Sequence, residues 1–272
     1  MSEHASRCQL FGDLHFGDQP LLLPNPWDVG SAKLLASLGF QALATTSAGH
    51  AASLGRLDGQ VTRDEAIEHA AAIVGATELP VSADFENGFA TEPQAVAANI
   101  GLAAATGLAG LSVEDYSGDD DDPIYDMALA RARVEAAAEA AHGGAARLVL
   151  TARSENYLHG RPDIADTIAR LQAYQEAGAD VLYAPWLVEP TEIKAVCDSV
   201  DLPVNVLARP GGPTVVELAA LGVARVSVGG AFALAGLAAL NRAASEFLDK
   251  GTYGFFGEVA EGVAVRDSAF GA

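Results

Sequence analysis

The chain has 272 residues, half of them hydrophobic and only 19% charged. That excludes a disordered tail or a coiled coil and leaves length for a sizeable core. Its 36 acidic residues against 16 basic ones give a formal net charge of −20, which excludes nucleic acid and anionic membrane surfaces as partners and requires a local reversal of field if the substrate is an anion.

In chain order, Met1 to Gln19 carries His, Asp and Glu and no long apolar run, so no signal peptide is expected. Eight strands are predicted, at Leu21–Leu23, Ala42–Thr46, Val81–Asp84, Leu111–Glu114, Leu148–Ala152, Val181–Tyr183, Val204–Leu207 and Val226–Val228. A helical pattern follows each one. Four of the helical segments end at a glycine just before the next strand, at Gly39, Gly107, Gly178 and Gly222, where a left-handed residue closes a helix. Thr62 with Glu65 and Thr91 with Gln94 have capping-box spacing, and Pro93 suits a first turn. Most of the strands are continuous apolar runs, the pattern of parallel strands covered by helices. Eight such units in about 250 residues match a (β/α)8 TIM barrel formed by residues 1–272 as one domain. The competing doubly wound sheet lacks a GxGxxG or GxxxxGK[ST] turn after its first strand. Val226–Leu240 is uncharged but too short to span a bilayer, and reads as a buried strand and a core helix. The tail from Gly251, with Tyr253, Phe255 and Phe256, should pack on something, such as a neighbouring subunit. Cys8 and Cys197 are far apart with no CxxC, which suits a reducing, cytoplasmic setting.

A barrel carries its chemistry at the C-terminal ends of its strands. There the sequence places Thr45–His50 with Asp58 beyond, then Asp84 and Glu86, Glu114 and Asp115, Arg153 and Glu155, and Asn205. Oxygen ligands without histidine select a hard cation, Mg²⁺ or Mn²⁺. Strand alternation favours Glu114 over Asp115 as the inward carboxylate. Arg153 matches a carboxylate in two-pronged fashion. Plainer readings stand beside these: Asp84 or Glu86 as a helix cap, Asp58 as a turn residue, Arg153 in a salt bridge to Glu114 or Glu155, and His50 and His159 as ordinary rim residues. Lys33, Lys194 and Lys250 all fall in helical segments, so a Schiff-base aldolase is disfavoured. No His-x-His or HExxH is present, and neither cysteine falls in a strand-end loop. Few aromatic platforms argue against a polysaccharide hydrolase.

The ordered motifs Pro24-Asn25-Pro26-Trp27-Asp28-Val29-Gly30-Ser31-Ala32, Thr45-Thr46-Ser47-Ala48-Gly49, Ser53-Leu54-Gly55 with Asp58-Gly59, Ser82-Ala83-Asp84-x-Glu86-x-Gly88, Val113-Glu114-Asp115 and Ala152-Arg153 resemble the isocitrate lyase/phosphoenolpyruvate mutase superfamily over Pro24 to Leu240. The resemblance implies a barrel with its last helix swapped onto a partner, in a homodimer or homotetramer. It implies Mg²⁺ bound directly by Asp84, with Asp58, Glu86 and Glu114 holding its waters. Thr46, Ser47 and Ala48 would receive a substrate carboxylate, Asn205 would contact substrate, and Arg153, with Glu114 beside it, would serve an enolate held on the metal.

The chain also departs from that pattern. The lyases carry Lys-x-Cys-Gly-His after the fourth strand, where this chain has Tyr116-Ser117-Gly118-Asp119-Asp120-Asp121-Asp122-Pro123. Their glutamate after the sixth strand is replaced by Ala184-Pro185-Trp186, and the decarboxylase histidine after the eighth by Gly229-Gly230-Ala231-Phe232. The gating-loop lysine and asparagine of the mutase and of phosphonopyruvate hydrolase are missing as well. The acidic run Asp119–Asp122 reads as a solvated loop tip, and Tyr116 or Tyr125 could supply a proton if the loop closes. The expectation is a Mg²⁺-dependent lyase that cleaves a C–C bond in a small α-keto or 2-hydroxy dicarboxylate, by retro-aldol reaction or decarboxylation. Its rivals are C–P chemistry on phosphonopyruvate and an α-keto acid-binding protein that has lost catalysis.

Overall fold

The computed structural model describes residues 2–271. The strands are β1 (Leu21–Leu23), β2 (Leu43–Ala44), β3 (Val81–Asp84), β4 (Gly110–Glu114), β5 (Val149–Arg153), β6 (Val181–Tyr183), β7 (Val204–Leu207) and β8 (Arg225–Ser227). The helices are α1 (Glu3–Asp13), α2 (Val29–Ser37), α3 (Ser47–Ser53), α4 (Arg63–Val74), α5 (Pro93–Ala104), α6 (Met127–His142), α7 (Ile164–Glu176), α8 (Pro190–Ser199), α9 (Val215–Ala220), α10 (Ala231–Lys250) and α11 (Phe256–Phe270). All strand pairs are parallel, β1 pairs with β8, and the eight strands form a nearly closed (β/α)8 barrel. Each predicted strand is present. Among the described residues no helix is long and apolar enough to cross a membrane.

The β1–β2 seam is the weak point of the closure, and local sequence explains why. Pro24 and Pro26 have no N–H to donate, and a single backbone bond crosses, from Ala44 N to Pro24 O. The Asn25 side chain does the rest. Its Nδ2 donates to Thr45 O at 3.0 Å, and its Oδ1 accepts from Val228 N and Gly229 N at 3.0 and 2.9 Å. One buried amide therefore ties the top of β1 to both neighbours. The same bonds draw Val228 out of its expected strand, which ends at Ser227.

Helix punctuation follows the sequence closely. Gly39, Gly107, Gly178 and Gly222 all have positive φ, and Thr62 and Glu65 form a full capping box. The Thr91–Gln94 box does not form: Glu92 is the N-cap of α5 and Pro93 its first residue. A proline at that position holds its predecessor in extended backbone, so the cap falls one residue after Thr91.

The N-terminal end of the barrel is plugged by α1 and a following 3-10 turn, Leu14–Phe16, with Phe11 fully buried against Gly110 of β4. The strand register turns Ser82, Ser112, Thr151, Asn205, Arg225 and Ser227 toward the interior, all of them buried. Barrel interiors are usually filled by bulky branched side chains. Here all but Arg225 are small or medium-sized polar side chains, which leaves room below the strand ends.

The expected core helix after β8 is not buried. On α10 only Ala233 is buried, while Leu234, Leu237, Leu240 and Leu248 are exposed. The reason is its direction: α10 touches α3 and leaves the outside of β1 uncovered, so that Leu22 remains 43% exposed. The tail is packed only in part: α11 returns to lie on α2, with Phe270 beside Gly30, while Tyr253 and Phe256 stay exposed. None of α11's own residues is buried.

Candidate active site

The register that builds the barrel also brings the strand-end side chains into one layer. Glu114 pairs with Arg153, Arg153 with Tyr183, and Tyr183 with Asn205 on successive strands. Thr46, Ser47, Ala48, Asp58, Asp84, Arg153 and Asn205 line one cavity of about 230 Å³ at that end of the barrel. Glu86 and Glu114 line an adjoining outer cavity of about 440 Å³, which shares Ser47, Asp58 and Arg153 with the first. The proposed metal-holding and substrate-contacting residues therefore all line one or other of two adjoining cavities, while His50, Asp115 and Glu155 line neither.

Arg153 is its electrostatic centre. Its Nη1 lies 2.7 Å from Asp84 Oδ1 and 3.2 Å from Glu114 Oε2, and its Nε donates to Glu155 Oε1 at 2.7 Å. The plainer reading of Arg153 as an internal ion-pair partner thus holds alongside its place in the cavity. Three carboxylates keep the guanidinium firmly protonated against its burial. Asp84 caps no following helix: its Oδ2 accepts Ser47 N at 3.0 Å, at the start of α3. Thr46 is the N-cap of that helix and accepts Gly49 N. Gly49 is required there, because a Cβ would lie 2.5 Å from Thr46 Cγ2 and 3.2 Å from Ala233 Cβ. Asp58 sits in the expected turn, with Gly59 at φ 74, and its carboxylate faces both cavities.

Glu86 does not extend β3. Its φ of 46° is uncommon for a side-chain-bearing residue, and this bend carries its carboxylate to the outer cavity beside Glu114. Burial and the charges of Asp84 and Asp58 push its pKa up to about 8. Burial also raises Glu114, despite Arg153, and takes Glu155 up to about 7. Glu155 Oε2 is buried without a hydrogen-bond partner. Desolvation and Asp84 raise Asp58. Five acids thus crowd around Arg153, and the second guanidinium of the inner cavity, Arg225, pairs with none of them. Positive charge is in deficit, and the donors are all oxygen, the chemistry that a hard divalent ion satisfies. Among the described residues no three His, Cys, Asp or Glu side chains converge as a ready chelate. The set therefore fits an ion with few direct protein ligands and the other carboxylates reaching it through water.

Asp115 points away from the cavity, as alternation requires. It is buried and accepts from Glu155 N, Arg170 and Tyr174, and so anchors α7 beneath the site. In the β4–α6 loop Asp119–Asp122 is exposed, as expected. Tyr116 stacks on His159 across the loops at 3.9 Å and donates to Asp120 at 2.9 Å. Tyr125 packs under Arg133, with its hydroxyl toward Thr91. His50 stacks on His69 at 3.8 Å and lines neither cavity.

Sequence reasoning passed over two residues of the inner cavity, Tyr183 and Arg225. Their signal was parity: each lies an even number of positions from an inward residue on its own or the neighbouring strand. Asn25 was part of a quoted motif and had no role assigned.

The family model described as phosphoenolpyruvate phosphomutase matches residues 11–248. A candidate lyase/mutase from Burkholderia cenocepacia, of known structure, is 51% identical, with a TM-score of 0.90 over 93% of this chain and 91% of that one. Rv1998c of Mycobacterium tuberculosis is 37% identical over 88% of this chain and 89% of its own length. Oxaloacetate decarboxylase of Paraburkholderia xenovorans is 30% identical over 68% of this chain and 62% of its own. With its barrel, its strand-end acids and these matches, the chain belongs to the phosphoenolpyruvate phosphomutase family, within the phosphoenolpyruvate mutase/isocitrate lyase superfamily.

Proposed function

We propose that this protein is a divalent-cation-dependent carbon–carbon lyase. Its substrate would be a small α-keto or 2-hydroxy dicarboxylate, cleaved by retro-aldol reaction or decarboxylation with an enolate as the electron sink. Its relatives include an oxaloacetate decarboxylase and 2-methylisocitrate lyases, which supports an enzyme of the lyase/mutase kind. The observation that carries the reading is Arg153 held among Asp84, Glu114 and Glu155 at the edge of a small cavity with no lysine, cysteine or histidine among its described lining residues.

Mg²⁺ or Mn²⁺ would be held by Asp84, with Asp58, Glu86 and Glu114 around it, and would supply positive charge to the developing enolate. Arg153 orients substrate oxygens and offsets the same charge. Thr46, Ser47 and Ala48 receive a substrate carboxylate at the start of α3, and Asn205 contacts the substrate from below.

A panel of oxaloacetate, methylisocitrate, dimethylmalate and phosphonopyruvate, assayed with Mg²⁺ and with EDTA, tests this. Turnover of a carbon–carbon substrate, lost in EDTA, is expected. Phosphorus NMR showing cleavage of phosphonopyruvate alone would replace the reading with C–P chemistry. Tight oxalate binding without any turnover would reduce the protein to a keto-acid binder. Asp84→Ala should abolish both Mg²⁺ affinity in a calorimetric titration and turnover, and retention of both would reject the site.

The protein would act as a homodimer or homotetramer. The bare outer face of β1 at Leu22 and the exposed leucines of α10 support this, because one copy's helix can cover the other's strand. Light scattering on the purified protein should give a mass of at least two chains, and a monomer at micromolar concentration would refute it.

A further inference from the structure

The family's usual proton-donating loop residues are absent, and the inner cavity offers few replacements. Among its described lining residues only Tyr183 is both uncharged and a Brønsted acid stronger than an aliphatic hydroxyl. Tyr116 is poorly placed to substitute, since its hydroxyl is bound to Asp120 in an exposed loop. Tyr183 ends β6 directly between Arg153 and Asn205 in register, and it is 8% exposed. The Arg153 guanidinium lies 5.1 Å from its ring centroid, a cation–π contact that fixes the ring.

Below Tyr183 the hydrogen bonds run in one direction. Arg225 is buried in the barrel with no carboxylate partner among the described residues, and its Nη1 and Nη2 rest on His15 Nε2 and Thr151 Oγ1, both at 3.1 Å. A guanidinium can only donate. Its Nε–H goes to Asn205 Oδ1 at 2.9 Å, which turns the Asn205 amide nitrogen to donate to Ser227 Oγ at 3.0 Å. Burial pushes the Tyr183 phenol up to about 12 and so keeps it protonated, while Arg153 and the Ser227 hydroxyl, its oxygen already accepting from Asn205, oppose that shift. The Tyr183 proton is then left to the cavity. The bonds from Arg225 Nε through Asn205 to Ser227 run toward the Tyr183 side of the cavity, an order that favours negative charge developing there during proton transfer.

We infer that Tyr183 is a catalytic residue, the acid that delivers a proton to the enolate carbon, and that Ser227 and Arg225 are positioning residues acting through it. This rests on the function proposed above. In the decarboxylation the C–C bond breaks, CO₂ leaves and the bonding pair passes into the enolate of the keto acid. That pair then takes the Tyr183 Oη proton to form the new C–H bond. The phenolate left on Tyr183, held by Ser227, recovers a proton from water, so one solvent proton is consumed for each CO₂ released.

By microscopic reversibility the same group removes a proton from the product keto acid. The test is hydrogen–deuterium exchange of the pyruvate methyl group in D₂O with Mg²⁺, followed by proton NMR, beside calorimetric binding of oxalate, an enolate mimic that needs no proton transfer. The wild-type protein should exchange pyruvate. Tyr183→Phe, which keeps the ring under Arg153, should slow exchange about 100-fold or more and change oxalate affinity by less than about 3-fold. Ser227→Ala should slow exchange roughly 10-fold with oxalate binding intact, as expected of one removed hydrogen bond to a reacting group.

Wild-type exchange in Tyr183→Phe overturns the inference and leaves the lyase reading standing. So does a wild-type protein that binds oxalate and does not exchange pyruvate. If Tyr183→Phe also loses oxalate binding, Ser227→Ala decides, and unchanged exchange there overturns the relay. A wild-type protein that neither binds oxalate nor turns over any panel substrate overturns both readings together.

Discussion

His15 shows how one side chain links the barrel floor to acid stability. Its Nδ1 donates to Phe11 O at 2.8 Å and its Nε2 accepts from Arg225, so the neutral ring is the only form that fits. Burial, then the Arg225 charge, push its pKa down to about 3, against the opposing pull of the Phe11 and Gly12 backbone and, last, of Asp180. The folded pKa lies below the unfolded one, so between about pH 6.5 and 3 the unfolded chain binds the extra proton. This contribution to stability is complete above pH 6.5 and declines by about 1.4 kcal/mol for each unit of pH below it. Urea unfolding midpoints measured from pH 7 to 4.5 should fall less steeply in His15→Gln than in the wild type, and equal slopes would reject the account. At this scale the rim was legible in the sequence. Asp84, Glu114 and Arg153 end apolar strands, and the barrel places such ends around the site. The donor chain was not legible, because Arg225, Asn205, Ser227 and Tyr183 meet only once the register of three strands is known. Nothing in Pro24-Asn25-Pro26 announced that an amide would stand in for a strand ladder.

Elements were legible where backbone chemistry alone decides them. The glycines that stop helices sit at φ of 91 to 99°, a region open to glycine and costly to other residues. The cap of α5 was misjudged because the proline's grip on Glu92 outweighs the hydroxyl of Thr91. The docking of α1 makes a sharper demand, read from space and not from pattern. At Gly110 a Cβ would come within 2.7 Å of Val149 O and 2.8 Å of Phe11 Cε1. One of these is strand backbone and the other a fully buried ring, so neither can yield cheaply. Gly110→Ala should destabilise the protein by about 1–3 kcal/mol through overpacking, read as a lower denaturant midpoint. An unchanged midpoint would show that α1 is free to shift. The direction of α10 was the largest departure from expectation. Its apolar sequence reads as core, and a single chain gives that face nothing to lie on.

For the whole molecule, the charge of −20 and the anionic substrate proposed above are in tension beyond the range of Arg153. Salt shortens the reach of that repulsion, from about 30 Å at 0.01 M to about 10 Å at 0.1 M. The value of kcat/KM for a dicarboxylate should therefore rise a few-fold over that range, with kcat itself unchanged. A fall would mean that a locally positive approach outweighs the net field.

Asn25 has one more consequence, and it concerns the order in which the molecule assembles. The bonds it makes join Thr45 to Val228 and Gly229, neighbours of the Thr46 and Gly230 that border the cavity. Those segments are some 180 residues apart along the chain, so the contact carries a large loop-closure entropy and belongs among the late ones in folding. A partly folded chain can hold β3 to β6 and still lack a binding pocket. Ligand affinity in this enzyme is then a property of the completed ring, and a bound acid should slow amide exchange at Val228 and Gly229 as strongly as at residues it touches.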